Sequence, residues 1–510
     1  MRGVIRRAAA LVLLGAALVA RGALSATVHD LDAAGSPVVP ATADPAIARA
    51  VAQISAVQIE HDISTLVGFG TRQTLSSMET GLAPGQGIMA AADWIEAEFK
   101  RYSAACGGCL EVRRDTFTES PQDRIPHPTI ISNVYAILRG SDPAQAQHMY
   151  LVTGHYDSRN TDTQDARGAA PGANDDASGV AVSLESARVL SHLKPRATLV
   201  FVAVAGEEEG LNGSRHLAHL AATEHWQLDG VLDNDIVGGD TTPGDHWQDK
   251  SAVRVFSEGI PASTTPEQLQ RIESVGYESD SPSRELARAL VDVGETYGSS
   301  RREVASLLGD FHAVLELRRD RFLRGGDHTA FNQQGFAAVR FTEWHENYNH
   351  QHQDVRIENG TEYGDLLKFV DFHYVQHVAQ LNAAALATFA SAPPPPVNVR
   401  IQTRALDNNT TLEWESGSGA PPDTQYEVLW RELGSSLWQR SVNARQFASV
   451  AGAPAAGPTP VSNPPARASA DGPVRVSVTV PISKDNVIFG VRAVDATGHH
   501  SLAVVPWPTR

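Results

Sequence analysis

Five short segments concentrate carboxylates and imidazoles. They are Gly154-His155-Tyr156-Asp157-Ser158, residues 172–179 with Asp175-Asp176, Gly206-Glu207-Glu208-Glu209-Gly210, Leu232-Asp233-Asn234-Asp235, and residues 347–354 with His350, His352 and Asp354. Imidazole nitrogen and carboxylate oxygen without thiolate suit a catalytic Zn2+ site, or a harder divalent ion. Two histidines and three or more carboxylates exceed what one tetrahedral ion needs. Two ions about 3.5–4 Å apart, bridged by one carboxylate and one water, would use them all. Such a pair acidifies the water and polarises a carbonyl. A free carboxylate beside the ligands then acts as general base, and the adjacent Glu207 and Glu208 supply both jobs.

Each segment alone also has a plainer reading. His155 and Asp157 fit a surface or capping feature. Asp175-Asp176 fits a helix N-cap with dipole support. Glu207–Glu209 fits a solvated turn, and His350 and His352 fit an exposed loop. Asp233 and Asp235 flank Asn234 on an apolar strand, where burial without a partner is costly. The recurrence of such segments at successive strand ends is what favours a common site.

The elements that must position them follow from hydrophobic periodicity. Residues 130–138, 148–153, 197–205, 231–237 and 337–342 read as strands, and 197–205 as a fully buried one. Residues 177–193, 214–223, 283–297 and 361–390 read as helices. Ile88, Ala91, Ala92, Ile95 and Phe99 mark one face of another helix. Alternating strands and helices predict an α/β fold with a mostly parallel central sheet and helices on both faces. Ligands bind outside the carboxyl ends of such strands, where all five segments can converge.

The chain has 510 residues, enough for two or three domains, and its 42% hydrophobic and 20% charged content is that of a globular protein. A net charge of −17 argues against nucleic-acid binding. No stretch after residue 30 is apolar enough for a membrane span. Arg2, Arg6 and Arg7, the apolar run 8–20 and Ala23-Leu24-Ser25 predict a signal peptide over residues 1–25 rather than an anchor. The protein is therefore expected to be exported, to the periplasm or the medium. Cys106-Gly-Gly-Cys109 could be a redox motif, half a zinc site or a local disulfide. No second such pair exists, the motif follows a helix, and export favours the disulfide.

Residues 26–55 are rich in Ala, Pro and Asp and predict a loosely ordered leader. The α/β body that carries these segments is expected over 56–392. Pro393–Pro396 predicts a stiff spacer. Period-2 alternation over 397–510 predicts a small all-β sandwich, with 450–472 as a long loop inside it. On this reading, removing 393–510 leaves turnover of small substrates unchanged.

The motifs GHYDS, GANDDASG, EEEGLNGS, LDNDIVGG and NHQHQD stand in family order and cover roughly residues 130–390. Together they resemble the M28 family of zinc peptidases. The resemblance implies two Zn2+ per chain. It implies His155, Asp175, Glu208, Asp235 and His350 as metal ligands, with Asp175 bridging and the Asp175–Asp176 peptide cis. Asp157 resembles the carboxylate that orients His155, and Glu207 the general base. His350 is preferred to His352 because the family pattern places the ligand four residues before an Asp, here Asp354. Gly326-Asp327-His328 resembles the family's SDH segment, without a firm role. The tail resembles a fibronectin type III module, with Trp414 in its core and a candidate ligand in some surface or polymer. The implied activity is removal of N-terminal residues from peptides or proteins with a free N-terminus. A glutaminyl-peptide cyclase-like acyltransferase using one zinc, or a carboxypeptidase or dipeptidase, remains the alternative.

Overall fold

The computed structural model of the chain describes residues 29–298, 306–447 and 473–509. The signal-like segment 1–25 and the stretch 450–472 lie outside the described residues.

The body is built on an eight-stranded mixed sheet. In spatial order its strands are Leu110–Glu119, Thr129–Leu138, Thr198–Val204, His148–His155, Gln227–Asn234, Ala338–Glu343, Ala252–Ser257 and His312–Glu316. The middle four, Thr198–Val204 through Ala338–Glu343, run parallel to one another. Their carboxyl ends therefore open onto one edge. Thr198–Val204 is buried at every position and divides its side chains between two cores. Leu199, Phe201 and Ala203 enter one, and Val200, Val202 and Val204 the other. That is why the segment reads as a continuous apolar run: both faces are covered.

The larger core is closed by helices that include Ile88–Ala105, Ala177–Leu190, Pro282–Gly298 and Phe372–Ser391. Helix Ala177–Leu190 is buried at every residue except Arg188. Helices Asn212–Thr223 and His328–Gln333 cover the opposite face. The helix expected over 361–390 starts only at Phe372. The Asp371 carboxylate accepts from the backbone N–H groups of His373 (3.1 Å) and Tyr374 (3.2 Å), a cap that fixes the start. Before it, Gly364 sits at φ +108° after a short strand, Thr361–Tyr363. Cys106 and Cys109 are disulfide-bonded just beyond helix Ile88–Ala105.

Beyond residue 396 seven strands, joined by Ser36–Pro37, form two four-stranded sheets that enclose one apolar core. Leu412 and Trp414 of one sheet meet Val428, Trp430, Phe489 and Val491 of the other. Two expectations are corrected here. First, the segment 26–55 is not loose over its described part. Helix Pro45–Val51, capped by Asp44, buries Ile47, Ala48, Ala50 and Val51. Upstream, Ser36–Pro37 pairs antiparallel with Arg440 and Ser441, and the Trp430 indole donates to the Leu31 carbonyl (2.9 Å). Its apolar residues are too few and too close together to show a period, so composition masked them.

Second, the proline run is not a spacer. Pro393, Pro394 and Pro396 are buried, and the β-module docks on helix Pro282–Gly298. Arg431 pairs with Asp280, which Arg288 also reaches (3.4 Å). The Trp438 indole donates to Glu285 (3.1 Å), and Arg288 donates to the Ser436 carbonyl (2.8 Å). These side chains are buried, so each charge depends on its partner.

Removing residues 393–510 should therefore abolish soluble folding rather than leave activity intact. In the full chain, Arg431→Met should cost about 3–5 kcal/mol by strapping Asp280 into a buried site with half its pairing. Denaturant unfolding measures this, and an unchanged midpoint would show the interface to be dispensable.

A second prediction concerns pH. Asp62 is buried on helix Ala56–Gly68, with one oxygen accepting from Gln58 (2.7 Å) and the other without a partner among the described residues. Burial, reinforced by the charges of Glu185 and Glu98, pushes its carboxyl up to about 8. The folded state thus holds a proton that the unfolded chain releases near 3.8. Its contribution to stability is complete below that value and lost as pH rises towards 8. Asp62→Asn should remove that slope and be more stable than wild type at pH 8, which unfolding midpoints across pH 4–9 would test.

Candidate metal centre

The carboxyl ends of the parallel strands gather the acid- and histidine-bearing segments. His155 closes strand His148–His155 and is buried. Its Nδ1 donates to the Asp157 backbone carbonyl (3.2 Å) and faces the Asp157 carboxylate at 3.5 Å. That leaves the Nε2 lone pair pointing at Asp175 Oδ1 (3.1 Å) and Asp235 Oδ1 (3.8 Å). Asp157 Oδ2 also accepts from the Glu208 backbone N–H (3.0 Å), tying the first segment to the third.

Asp176 holds the elements together. One carboxylate oxygen accepts from Gly179 N–H (2.9 Å), capping helix Ala177–Leu190, and from Ile236 N–H (3.3 Å). The other accepts from His155 N–H (3.0 Å). A single buried acid thus fixes His155, Asp175 and Asp235, each one residue from a group it bonds or from itself. Asp175 is joined to it by a cis peptide. The Asp175 N–H donates to Asp365 (2.7 Å), and Gln351 donates to Asp175 Oδ2 (3.0 Å).

Asp175 Oδ2 and Glu208 Oε1 face the same nitrogen, His352 Nε2, at 3.0 and 2.9 Å. Two groups result: His155, Asp175 and Asp235, and Asp175, Glu208 and His352, with Asp175 in both. The structure thus brings together His155, Asp175, Glu208 and Asp235 as expected from the sequence. It does not bring His350 there. The His350 ring stacks on Phe369 (3.8 Å between centroids) and its Nδ1 reaches Asp240 (3.2 Å). The expectation is corrected by two residues: at φ +58°, His352 turns its ring inward while His350 faces the other side of the loop. The spacing to Asp354 misled, because Asp354 accepts from the Thr161 N–H (3.2 Å) and anchors the loop whichever histidine faces in.

Asp233 stays outside both groups. It accepts from the His328 backbone N–H (3.0 Å), which gives the Gly326-Asp327-His328 segment a place beneath the site. Arg72, Arg159 and Arg340 were not anticipated as parts of the site. Buried Arg72 donates to the carbonyls of Tyr156 (2.6 Å), Pro171 (2.7 Å) and Gly172 (2.8 Å), holding the first two segments side by side. Arg340 pairs with Asp235 Oδ2 (2.7 Å). Arg159 donates to Glu208 Oε2 (2.9 Å) and approaches His352 Nδ1 (2.6 Å). An isolated arginine carries no local motif, so only the structure reveals these roles.

The donor set fits zinc. Among the described residues, His155 Nε2, Glu208 Oε1 and His352 Nε2 are buried atoms without a hydrogen-bond partner. Leaving such atoms unmade costs about 1–3 kcal/mol each, which a cation would offset. All donors are imidazole nitrogen or carboxylate oxygen, the set zinc takes in catalytic sites. Coordination through His352 Nε2 puts the ring proton on Nδ1, so Arg159 must then release His352 and keep its bond to Glu208.

The electrostatics separate the acids. Burial raises the Asp175 carboxyl, but contact with His155 and His352 outweighs it and holds the group well below its usual range. Burial likewise raises Asp235, and Arg340 and His155 bring it below. Burial raises Glu207 well above its usual range; His155 opposes this, and Asp235, Glu208 and Asp327 add to it. Glu207 lines the same open cleft of about 630 Å3 as Asp175, Glu208, Asp235 and His352.

His352→Ala should sharply lower the affinity for one ion, and His350→Ala should leave metal content intact. Metal analysis after dialysis against a weak chelator decides between them, and the reverse result would restore the His350 assignment.

Residues 133–366 match Peptidase family M28. A probable zinc metalloprotease of Leptosphaeria maculans is 42% identical over 459 residues, covering 90% of this chain and 96% of the relative. Another, of Pyricularia oryzae, is 41% identical and covers 91% and 85%. Among solved structures, the Legionella pneumophila LapA aminopeptidase aligns at 18% identity and TM-score 0.44, covering 67% of this chain and 73% of that one. Porphyromonas gingivalis glutaminyl cyclase aligns at 18% identity and TM-score 0.41, covering 65% and 98%.

Proposed function

The chain belongs to peptidase family M28, a family of zinc metalloproteases, and from that premise we propose that it is an exported two-zinc aminopeptidase. The observation that carries this reading is the pair of ligand groups sharing Asp175, with Glu207 in the same cleft. His155, Asp175 and Asp235 would hold one ion, and Asp175, Glu208 and His352 the other. Bound zinc supplies Lewis acidity, lowering the pKa of water and polarising a carbonyl.

The remaining work belongs to the chain's own groups. Glu207 takes the proton of the attacking water and returns it to the leaving amine. No hydrogen bond to a neighbouring side chain competes for the Glu207 carboxylate among the described residues. Asp157 holds the His155 proton on Nδ1 and keeps Nε2 free for metal. The substrate amine is left to the acids of the ligand set. A second ligand group favours peptide hydrolysis over the one-zinc acyl transfer of a glutaminyl cyclase. Export is supported by the Cys106–Cys109 disulfide, a bond that persists in oxidising compartments.

Glu207→Gln should lower kcat by about 10²–10⁴ and keep both zincs, because Gln preserves shape but takes no proton. Glu208→Gln should lose metal, because a charged ligand is removed. Aminoacyl-nitroanilides should be cleaved and their N-acetylated forms resisted. Loss of metal from Glu207→Gln alone would exchange the two roles. Equal cleavage of acetylated substrates would remove the aminopeptidase assignment.

A further inference from the structure

Four guanidiniums line the cleft beside the metal centre: Arg124, Arg159, Arg321 and Arg324. Their pairing is uneven. Arg159 is taken by Glu208, and Arg321 by Asp320 (2.9 Å) and Glu346 (2.7 Å). Among the described residues Arg324 has only Glu346 (2.9 Å), a carboxylate that also serves Arg254 (3.1 Å) and Arg321. One acid thus answers three guanidiniums. Arg124 is exposed and donates to a backbone carbonyl, that of Glu208 (2.7 Å); among the described residues no carboxylate lies within ion-pair distance of it.

The other acids of the lining cannot correct this. Asp175, Glu208 and Asp235 belong to the ligand groups, so bound ions take up their charge, and Asp235 and Glu208 already hold Arg340 and Arg159. Glu207 is the proton carrier. What remains is a cleft of peptide size with an excess of forked N–H donors at its walls, the arrangement that receives a carboxylate through two parallel hydrogen bonds.

We propose that the cleft selects peptide substrates bearing a carboxylate close to the scissile bond, read by Arg124 and Arg324. Both guanidiniums keep donors free: each uses one nitrogen on a protein acceptor. The exposed Tyr348 ring, 5.9 Å from the Arg324 guanidinium carbon, gives that side chain a face to lie against. The carboxylate can come from an acidic side chain beside the cleaved residue or from the free C-terminus of a di- or tripeptide. This inference rests on the peptidase reading above.

The test separates the two. Binding of three uncleavable peptides, N-methylated at the scissile bond, is measured by calorimetry on the full-length zinc-loaded protein: Ala-Ala-Ala-amide, Ala-Ala-Ala with a free C-terminus, and Ala-Glu-Ala-amide. At least one carboxylate form should bind about tenfold tighter than the neutral amide, with the advantage shrinking as salt rises. Which form gains identifies the source. Arg124→Gln and Arg324→Gln should each reduce that ratio, and Arg124→Lys should restore part of it. Equal affinity of all three peptides, or an unchanged ratio in both Gln variants, would overturn the inference. Hydrolysis of the cleavable versions is scored separately: carboxylate-selective binding without any turnover would reject the peptidase reading and keep this one.

Discussion

Buried negative charge at the edge of the parallel strands is the constraint on which the rest of the structure turns. Asp157, Asp175, Asp176, Glu208 and Asp235 are all removed from water within one small volume. Like charges this close and this dry cannot all stay ionised without compensation. The protein supplies part of it in fixed form. Arg340 answers Asp235 and Arg159 answers Glu208, while Asp157 and Asp176 are met by backbone N–H groups. The remainder, around Asp175, is met by the Gln351 amide and by two imidazole nitrogens, His155 Nε2 and His352 Nε2. A site left in that condition is designed around a cation.

The fold serves this constraint by geometry. Parallel strands end on one side, so acids at the ends of different strands meet without long excursions of the chain. A hydrogen-bond network beneath them then sets the directions. Asp176 reaches three separate elements through backbone N–H groups, and Arg72 gathers three carbonyls from two loops. Neither side chain needs to touch substrate. Both determine where the side chains that do touch it stand.

This division explains what could be read from the sequence. The central strands and the helix after Asp176 were legible, because burial on one or both faces writes itself into the apolar pattern. His155, Asp175, Glu208 and Asp235 were legible because each sits in a short motif at or just beyond a strand end or, for Asp175, at a helix start. The choice between His350 and His352 was not, since two histidines on a tight loop differ only in which way the backbone turns them, and a positive φ at His352 leaves no mark in the residue types. Strands Ala252–Ser257 and His312–Glu316 were missed for another reason. Ala252–Ser257 is a run of six residues, too short to stand out although five are buried, and His312–Glu316 is the sheet's edge, with one buried residue of five. Arg72, Arg159 and Arg340 act over long sequence separations, which no local pattern records.

The same long-range logic governs the boundary between the body and the β-module. Composition marks a change of texture at the proline run, and a change of texture invites the idea of independent units. The buried pairs of Arg431 with Asp280 and of Trp438 with Glu285 argue otherwise, because each gives a buried carboxylate of the body a partner from the β-module in addition to Arg288. The leader reinforces the join: Leu31 and Ser36–Pro37 bind the β-module, and a few residues later helix Pro45–Val51 enters the core of the body. One continuous stretch of chain thus contributes to both cores, so opening either part strips partners from the other. A cleft that depends on sub-ångström placement of several buried acids gains from such a body, since cooperative unfolding leaves no partly open state in which those acids could lose their alignment while the rest of the chain stays folded.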